Sequence, residues 1–349
     1  MSDARKIRVL IIDDSALMRQ LLTAIFQEDS TFEVVATAAD PLIARRKIKE
    51  LKPDVLTLDV EMPNMDGITF LEKLMRLRPM PVVMISSMTQ RNAEATFRAL
   101  ELGAVDFVTK PVNGIRDHIG ELAHEIRTKV RMAATARIRI SIADPVSPPP
   151  DKALVSSRNV TSDGVIAIGA SAGGTQAIMT ILRHLPAQMP GIAIVQHMPP
   201  KFTAMFADHL NRVSALDVRE ATDGEKLCPG MARVAPGGRQ MELAREQGGY
   251  VLRVYDGPAV NLHRPSVDVL FRSVAQMAAA KTMGILLTGM GNDGAQGLKA
   301  MHTAGAHTLA QDEASSVVFG MPDQAIRLGA AREVLALERI AERIRQWSA

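Results

Sequence analysis

Apolar positions follow two rhythms along the chain. Short unbroken apolar runs recur, and between them apolar residues fall every three or four positions, the spacing of one helix face. In the first part the runs Ile7–Ile12, Glu33–Ala38, Asp54–Leu58, Pro81–Ile85 and Asp106–Thr109 predict strands. Leu17, Leu21, Leu22 and Ile25 predict a helix, as do Ile115, Ile119, Leu122 and Ile126. Asp40-Pro41 reads as an N-cap with proline at the first helical position, opening a helix through Ile43, Ile48 and Leu51. The second part repeats the theme. Val165–Ile168, Gly191–Gln196 and Ile285–Thr288 read as strands, and another ends at Asp312-Glu313. Helices follow through Ile178, Ile181, Leu182 and Leu185, and through Leu298 and Met301. Strands alternating with helices predict α/β architecture, with a doubly wound parallel sheet in each part.

Between the two parts the pattern fades from Ala133, and 143–151 (Ala-Asp-Pro-Val-Ser-Pro-Pro-Pro-Asp) is proline-rich. Such a segment is extended and builds no core, which suits a spacer better than a ligand for another domain. The expected division is 1–134, a linker at 135–159, and 160–349. At 349 residues the chain is long enough for two domains. A net charge of +3, from 41 basic and 38 acidic residues, gives no reason to invoke nucleic acid or a membrane surface. With 3% aromatic residues, a base-stacking platform is not expected either. The single cysteine, Cys228, excludes an internal disulfide and suits a reducing compartment. A charged start (Asp3, Arg5, Lys6) and no apolar run near ~18 residues predict a cytoplasmic protein without membrane insertion.

In the first part the chemistry-bearing residues all fall at strand carboxyl ends, where ligands bind in such sheets. Asp13, Asp14 and Asp59 converge there, with Ser86 and Lys110 on neighbouring strands. A lone aspartate at a strand end reads as a helix N-cap, but five chemistry-bearing residues gathered at four strand ends read as a site. Three carboxylates in one crevice repel unless a cation joins them, and oxygen-only ligands with a phosphate partner favour Mg²⁺. This part resembles a response-regulator receiver domain, flavodoxin-like in fold, over residues 6–130. The motifs are Asp13-Asp14, the 59–67 stretch Asp-Val-Glu-Met-Pro-Asn-Met-Asp-Gly, and Lys110-Pro111. The resemblance implies that Asp59 takes a phosphoryl group from a histidine kinase. It implies that Asp13, Asp14, Asp59 and the backbone carbonyl of Glu61 hold Mg²⁺, that Ser86 and Lys110 contact the phosphoryl oxygens, and that Phe107 is an aromatic switch residue.

In the second part Ser171 sits in a tight Gly/Ala turn between a strand and a helix, within Gly169-Ala-Ser-Ala-Gly173. Free backbone N–H groups at such a turn can bind an oxyanion, and the letters match a nucleophile elbow. His197 follows the next apolar strand and Asp293 the one at 285–288. Serine, histidine and aspartate thus lie at three strand ends, where they can meet as nucleophile, base and orienting acid. The alternatives are structural: Ser171 and Asp293 as helix caps. His118, His124, His184, His209 and His302 fall in helical patterns, and His263 and His307 lie at no clear strand end. The 289–294 loop also mimics a dinucleotide fingerprint, with acidic residues after the next strand. Asp293 argues against that reading, because a carboxylate in the loop repels a pyrophosphate.

This part is similar to the catalytic domain of the chemotaxis protein-glutamate methylesterases over 162–345. The matching stretches are Gly169-Ala-Ser-Ala-Gly-Gly174, Gln196-His197-Met-Pro199, Val234-Ala-Pro-Gly237 and Thr288-Gly-Met-Gly-Asn-Asp-Gly294. The resemblance implies Ser171 as nucleophile, His197 as base and Asp293 as orienting acid. It also implies that the backbone at Met290 helps bind the oxyanion and that the esterase chemistry needs no cofactor. Ala172 stands where serine or threonine is expected, so only its N–H is available there. The implied substrates are γ-glutamyl methyl esters on the cytoplasmic helices of chemoreceptors, with deamidation of receptor glutamines alongside. A phosphoryl-accepting site sharing a chain with a hydrolase leads to the expectation of a receiver that keeps those helices out until Asp59 is phosphorylated. A DNA-binding output, a nicotinamide enzyme and a plain scaffold are the competing functions. The first would need a helix-turn-helix with a basic face, which the strand-rich second part does not offer.

Overall fold

The computed structural model describes residues 5–63, 65–87, 90–110, 115–136, 138, 164–246, 249–277 and 282–348. Asp3, Asn64, Pro111 and nearly all of the expected linker lie outside them. The chain forms two compact units, Met1–Ile142 and Ala143–Ala349.

The first unit is a five-stranded sheet in the order β2-β1-β3-β4-β5, parallel throughout. Its strands are β1 (Ile7–Ile12), β2 (Phe32–Ala38), β3 (Val55–Asp59), β4 (Val82–Ser87) and β5 (Asp106–Lys110). The helices are α1 (Ala16–Gln27), α2 (Pro41–Leu51), α3 (Gly67–Leu77), α4 (Gln90–Glu101) and α5 (Ile115–Thr135). Asp40 caps α2 as expected, accepting from Leu42 N and Ile43 N at 2.8 Å each. Helices α3 and α4 complete the alternation that the apolar pattern left open. β3 is buried along its whole length, as a strand covered on both faces must be.

The second unit is a seven-stranded parallel sheet in the order β15-β14-β13-β6-β7-β10-β8. At its centre lie β6 (Val165–Ala170), β7 (Gly191–Gln196) and β13 (Thr282–Leu286), all fully buried. On one side follow β8 (Asp217–Glu220) and β10 (Met231–Val234), on the other β14 (His307–Gln311) and β15 (Glu333–Leu335). A separate antiparallel sheet is built from β9 (Lys226–Leu227), β11 (Gln240–Glu246) and β12 (Gly249–Tyr255). The helices are α6 (Gly174–Arg183), α7 (Phe202–Val213), α8 (Val267–Met277), α9 (Ala295–Thr303), α10 (Met321–Arg327) and α11 (Leu337–Ser348). One core joins Val165, Val195, Leu270, Phe271, Val274 and Leu298. Among the described residues no helix is long and apolar enough to cross a membrane.

β13 begins before the run Ile285–Thr288 that the sequence suggests and ends at Leu286, inside it. Past Leu286 the backbone leaves the ladder: Leu287 N still donates to Gly169 O on β6, but Thr288 N goes to the Gln311 side chain at 2.8 Å. The order has one consequence for function. Chain direction across the sheet reverses at β6, with β7 on one side and β13 on the other. That switch point is where parallel sheets open a crevice at their carboxyl edge.

Candidate functional site

In the first unit β1 ends at Ile12, so Asp13 and Asp14 leave its carboxyl edge, and β3 ends at Asp59. One oxygen from each of the three carboxylates lies within 4.8 Å of the others. Lys110, at the end of β5, spans two of them: its Nζ is 2.7 Å from Asp59 Oδ2 and 2.9 Å from Asp13 Oδ2. Burial pushes the Asp59 carboxyl up to about 6; Lys110 pulls the other way, and Asp13 adds to the rise. Burial would lower the Lys110 ammonium, but Asp59 and Asp13 outweigh it and raise it. Three carboxylates thus face one ammonium. Hard oxygen donors in this number and spacing fit a divalent cation such as Mg²⁺. Glu61 N donates to Asp59 Oδ1 at 3.4 Å, which keeps the loop after β3 against the crevice. Ser86 is buried at the same edge, one residue past the β3–β4 pair Asp59↔Ile85. Phe107 is buried on β5, with Lys129 Nζ 5.2 Å from its ring centre.

The second unit brings Ser171, His197 and Asp293 to the three strand ends flanking the switch point. Ser171 N donates to Thr288 O at 3.0 Å, which ties the turn after β6 to the segment after β13. The Gln196 amide donates to both Ser171 O (2.9 Å) and His197 O (3.2 Å), locking the second pair of turns together. Helix α6 starts after Gly173, whose φ of 76° is left-handed and open to glycine, and no side chain caps it. The Ser171 hydroxyl is therefore not spent on capping. Gly289 faces it closely: a Cβ there would lie 2.7 Å from Ser171 Cβ, so only glycine lets the two loops pass. Among the described residues the amides of Ala172 and Met290 have no backbone acceptor.

His197 is nearly buried, its side chain 7% exposed, and its Nε2 lies 2.8 Å from Asp293 Oδ2. With Nε2 donating to the carboxylate, Nδ1 carries the lone pair. Nδ1 is buried without a partner, so the Ser171 hydroxyl and His197 are not hydrogen-bonded to each other. Apo geometry of this kind is common and tightens once substrate is bound. The His197 ring stacks on His263, centroids 3.7 Å apart and planes 15° from parallel.

Asp293 is the most heavily satisfied group in the site. Oδ1 accepts from Asn261 Nδ2 (2.8 Å), Ser266 Oγ (2.7 Å) and Asp268 N (3.2 Å). Oδ2 accepts from Val267 N (2.7 Å) besides His197. Burial pushes this carboxyl up, but the hydrogen bond and charge of His197, with the Asn261 and Ser266 donors, hold it well below the usual range. Val267 and Asp268 open α8, so Asp293 satisfies that helix's first amides. Asp268 in turn accepts from Gly297 N in the first turn of α9 at 2.7 Å. The two helices cap each other through carboxylates, while α9 itself starts at Gly294 with no side-chain cap. Asp293 is thus not the cap of its own helix. Asn261, Ser266, Gln196 and the stacked His263 escape a reading by strand ends, since they lie in turns, or, for Gln196, point sideways from a strand.

In the Gly289–Gly294 loop Gly291 and Asn292 are exposed, while the end at Gly294 is packed against protein, where a Cβ would run into Val267 and Leu286. The loop offers Asp293 to His197, which sets a carboxylate where a dinucleotide loop would face pyrophosphate. Among the described histidines, His184 bonds its own helix at Thr180 O, His209 meets Met179, and His302 meets Thr308.

Comparison with known proteins agrees with both units. The family model of the CheB methylesterase matches residues 166–344, and that of the response regulator receiver domain matches 9–119. The chain is 56% identical over 341 residues to the protein-glutamate methylesterase/protein-glutamine glutaminase of Yersinia pestis bv. Antiqua (strain Antiqua), covering 97% of this chain and 96% of that one. It is 56% identical over 339 residues to the protein of the same name from Shigella flexneri, with the same shares covered. Among solved structures, the crystal structure of the Thermotoga maritima CheB methylesterase catalytic domain covers 52% of this chain and 97% of its own, with a TM-score of 0.52 at 36% identity. The chain therefore belongs to the CheB methylesterase family, chemotaxis hydrolases with a response regulator receiver domain ahead of the methylesterase domain.

Proposed function

We propose that the protein demethylates glutamate methyl esters on the cytoplasmic helices of chemoreceptors, and deamidates specific receptor glutamines, when a histidine kinase has phosphorylated Asp59. The reading divides the chain into a receiver (1–134), a linker (135–159) and a catalytic domain (160–349), acting in the cytoplasm. Ser171 Oγ attacks the ester carbonyl as His197 Nδ1 takes its proton. The tetrahedral oxyanion is held by the backbone N–H groups of Ala172 and Met290. His197 returns the proton to the leaving methoxide, giving methanol and a γ-glutamyl serine ester. Water, deprotonated by His197, then releases glutamate, and a glutamine side chain takes the same route with ammonia leaving. Asp293 keeps Nε2 protonated and steadies the imidazolium.

The observation that carries this is the His197 Nε2–Asp293 bond of 2.8 Å, with a buried, unpartnered Nδ1 at the strand edge that bears Ser171. In the receiver, Asp13, Asp14, Asp59 and the Glu61 carbonyl would hold Mg²⁺, which neutralises charge on the transferring phosphoryl group when bound. Lys110 and Ser86 contact the phosphoryl oxygens on Asp59. Drawing Lys110 and Ser86 to that group shifts the receiver to a state that relieves its restraint on the catalytic unit.

The test is methanol release from methylated receptor membranes, with and without a small-molecule phosphodonor. The phosphodonor should raise the rate for the wild type and leave Asp59→Ala unchanged. A fragment starting near residue 150 should exceed the intact unphosphorylated protein in rate. Equal rates, with the fragment's fold verified, would replace relief of restraint by recruitment.

A further inference from the structure

We propose that Asn261 is a positioning residue for the hydrolase: its side-chain amide straps the Asp293 carboxylate to a second buried carboxylate, Asp268, and so fixes the orientation in which Asp293 holds His197. The proposal rests on the triad reading above and extends it to a residue outside the three strand ends.

Asn261 lies in a tight turn closed by two backbone bonds, Val260 N to His263 O (3.1 Å) and His263 N to Val260 O (2.9 Å). Both central residues are left-handed, Asn261 at φ 51° and Leu262 at φ 68°. Residues other than glycine pay for that conformation, asparagine least among them. Leu262 is 90% exposed, so burial of the tip does not hold the turn in place. Its anchors include the Gln240 amide, which donates to Pro258 O at 2.9 Å and to His263 O at 3.2 Å, the His263 ring on His197, and the Asn261 amide, the one among these that reaches the Asp293 carboxylate. Asn261 Nδ2 donates to Asp293 Oδ1 at 2.8 Å and to Asp268 Oδ2 at 2.9 Å. Glycine would suit the backbone better, but it lacks the group that does this.

The chemistry of the position singles out an amide. A neutral NH₂ has two N–H bonds and can serve two anions without adding a charge. Aspartate would be the isosteric alternative, and it would set a third carboxylate against two buried ones. The charged and titratable groups facing Asp293 are His197 and Asp268, with His263 behind His197 and Arg272 3.3 Å from Asp268 on its outer side. Without Asn261, Oδ1 keeps Ser266 Oγ and the longer bond from Asp268 N. The carboxylate then gains freedom to turn, and less of its negative charge is spent on donors other than His197.

The experiment compares Asn261→Gly, Asn261→Asp and Asp293→Asn in the intact protein, by methyl-ester hydrolysis as a function of pH and by thermal melting. Asn261→Gly keeps the left-handed backbone and removes only the amide. It should lower kcat on the order of tenfold with KM little changed. It should also move the acid limb of kcat/KM to higher pH, because His197 then faces a less satisfied carboxylate. Asn261→Asp should move that limb further and lower kcat more. A merely structural role would lower the melting temperature without moving the limb. Wild-type kcat and pH profile in Asn261→Gly, with Asp293→Asn impaired, would overturn the positioning role alone. Full activity in Asp293→Asn would instead overturn the triad reading beneath it.

Discussion

Asp59 and Asp293 are two aspartates at the carboxyl edges of parallel sheets, 4% and 1% exposed. Their protons are held in opposite ways. Asp59 has a weak backbone donor at 3.4 Å, one ammonium shared with Asp13, and two carboxylate neighbours; burial wins and its pKa rises to about 6. Asp293 has His197 and four further donors, and they defeat the same burial. Depth therefore does not set a carboxylate's chemistry; the donors brought to it do. On the proposed function, the under-satisfied aspartate is the one that takes a cation and a phosphoryl group. The saturated one, on the same reading, serves as a fixed charge for His197.

The largest expected effect breaks the catalytic side of that contrast. Ser171→Ala should fold normally and lose activity by ~10³-fold or more, as other triads do. His197→Ala should match it, and the double mutant should be little worse than either. Near-normal methanol release from purified Ser171→Ala, or additive losses in the double mutant, would remove the shared mechanism.

Next in size is the orienting acid. Asp293→Asn should keep the fold, although its amide cannot accept all five donors, and should cost less activity than Ser171→Ala. In a plot of rate against phosphodonor it should scale both stimulated and unstimulated rates, whereas Asp59→Asn should erase only the response. An Asp293→Asn protein that is fully active yet unresponsive would invert the assignment of the two aspartates.

The smallest effect tests the electrostatics directly. Asp59 binds its proton more tightly folded than unfolded, so in metal-free buffer the first unit should lose stability as pH rises from about 4 to about 6. The size is about 3 kcal/mol at most, from the rise between the ordinary value and about 6. Asp293 has the opposite sign: its contribution is complete above the ordinary carboxylate pKa near ~4 and fades as pH falls below that. Denaturant melts of the wild type and Asp59→Asn across this range separate the two. A wild-type profile with no Asp59-dependent slope between pH 4 and 6 would contradict the picture of an under-satisfied carboxylate.

The strand ends were legible in the sequence because burial on both faces leaves largely apolar runs that give way to chemistry-bearing residues at the carboxyl end. Ile12-Asp13, Leu58-Asp59, Gln196-His197 and Ala170-Ser171 all announce themselves that way. What was illegible sits where the chain leaves that rhythm. Thr288 looks like strand, yet its N–H goes to Gln311 from another strand, a partner no local pattern names. Asn261 lies in an aperiodic turn and Ser266 is the last residue before α8, and their value comes from a carboxylate more than twenty residues away in sequence. Arg233 is 2% exposed, a cation inside a strand that an apolar pattern would reject. Asp217 and Glu225 make it tenable, at 3.0 and 2.6 Å, by binding β10 to its edge neighbour and the loop beyond.

The position of β6 between β7 and β13 has a consequence for how the chain is made. A ribosome delivers β6 and β7 early, but the strand that closes the other edge of β6 follows only after roughly a hundred more residues, on the order of ten seconds of synthesis. For that interval the nascent chain carries an unpaired, wholly apolar edge at Val165–Ala170, the kind of edge that invites misassembly. It also carries Ser171 and His197 without Asp293 or the helix amides that complete the site. On the proposed triad, hydrolysis should begin only when β13 has docked, so that the event that buries the dangerous edge would also switch the enzyme on.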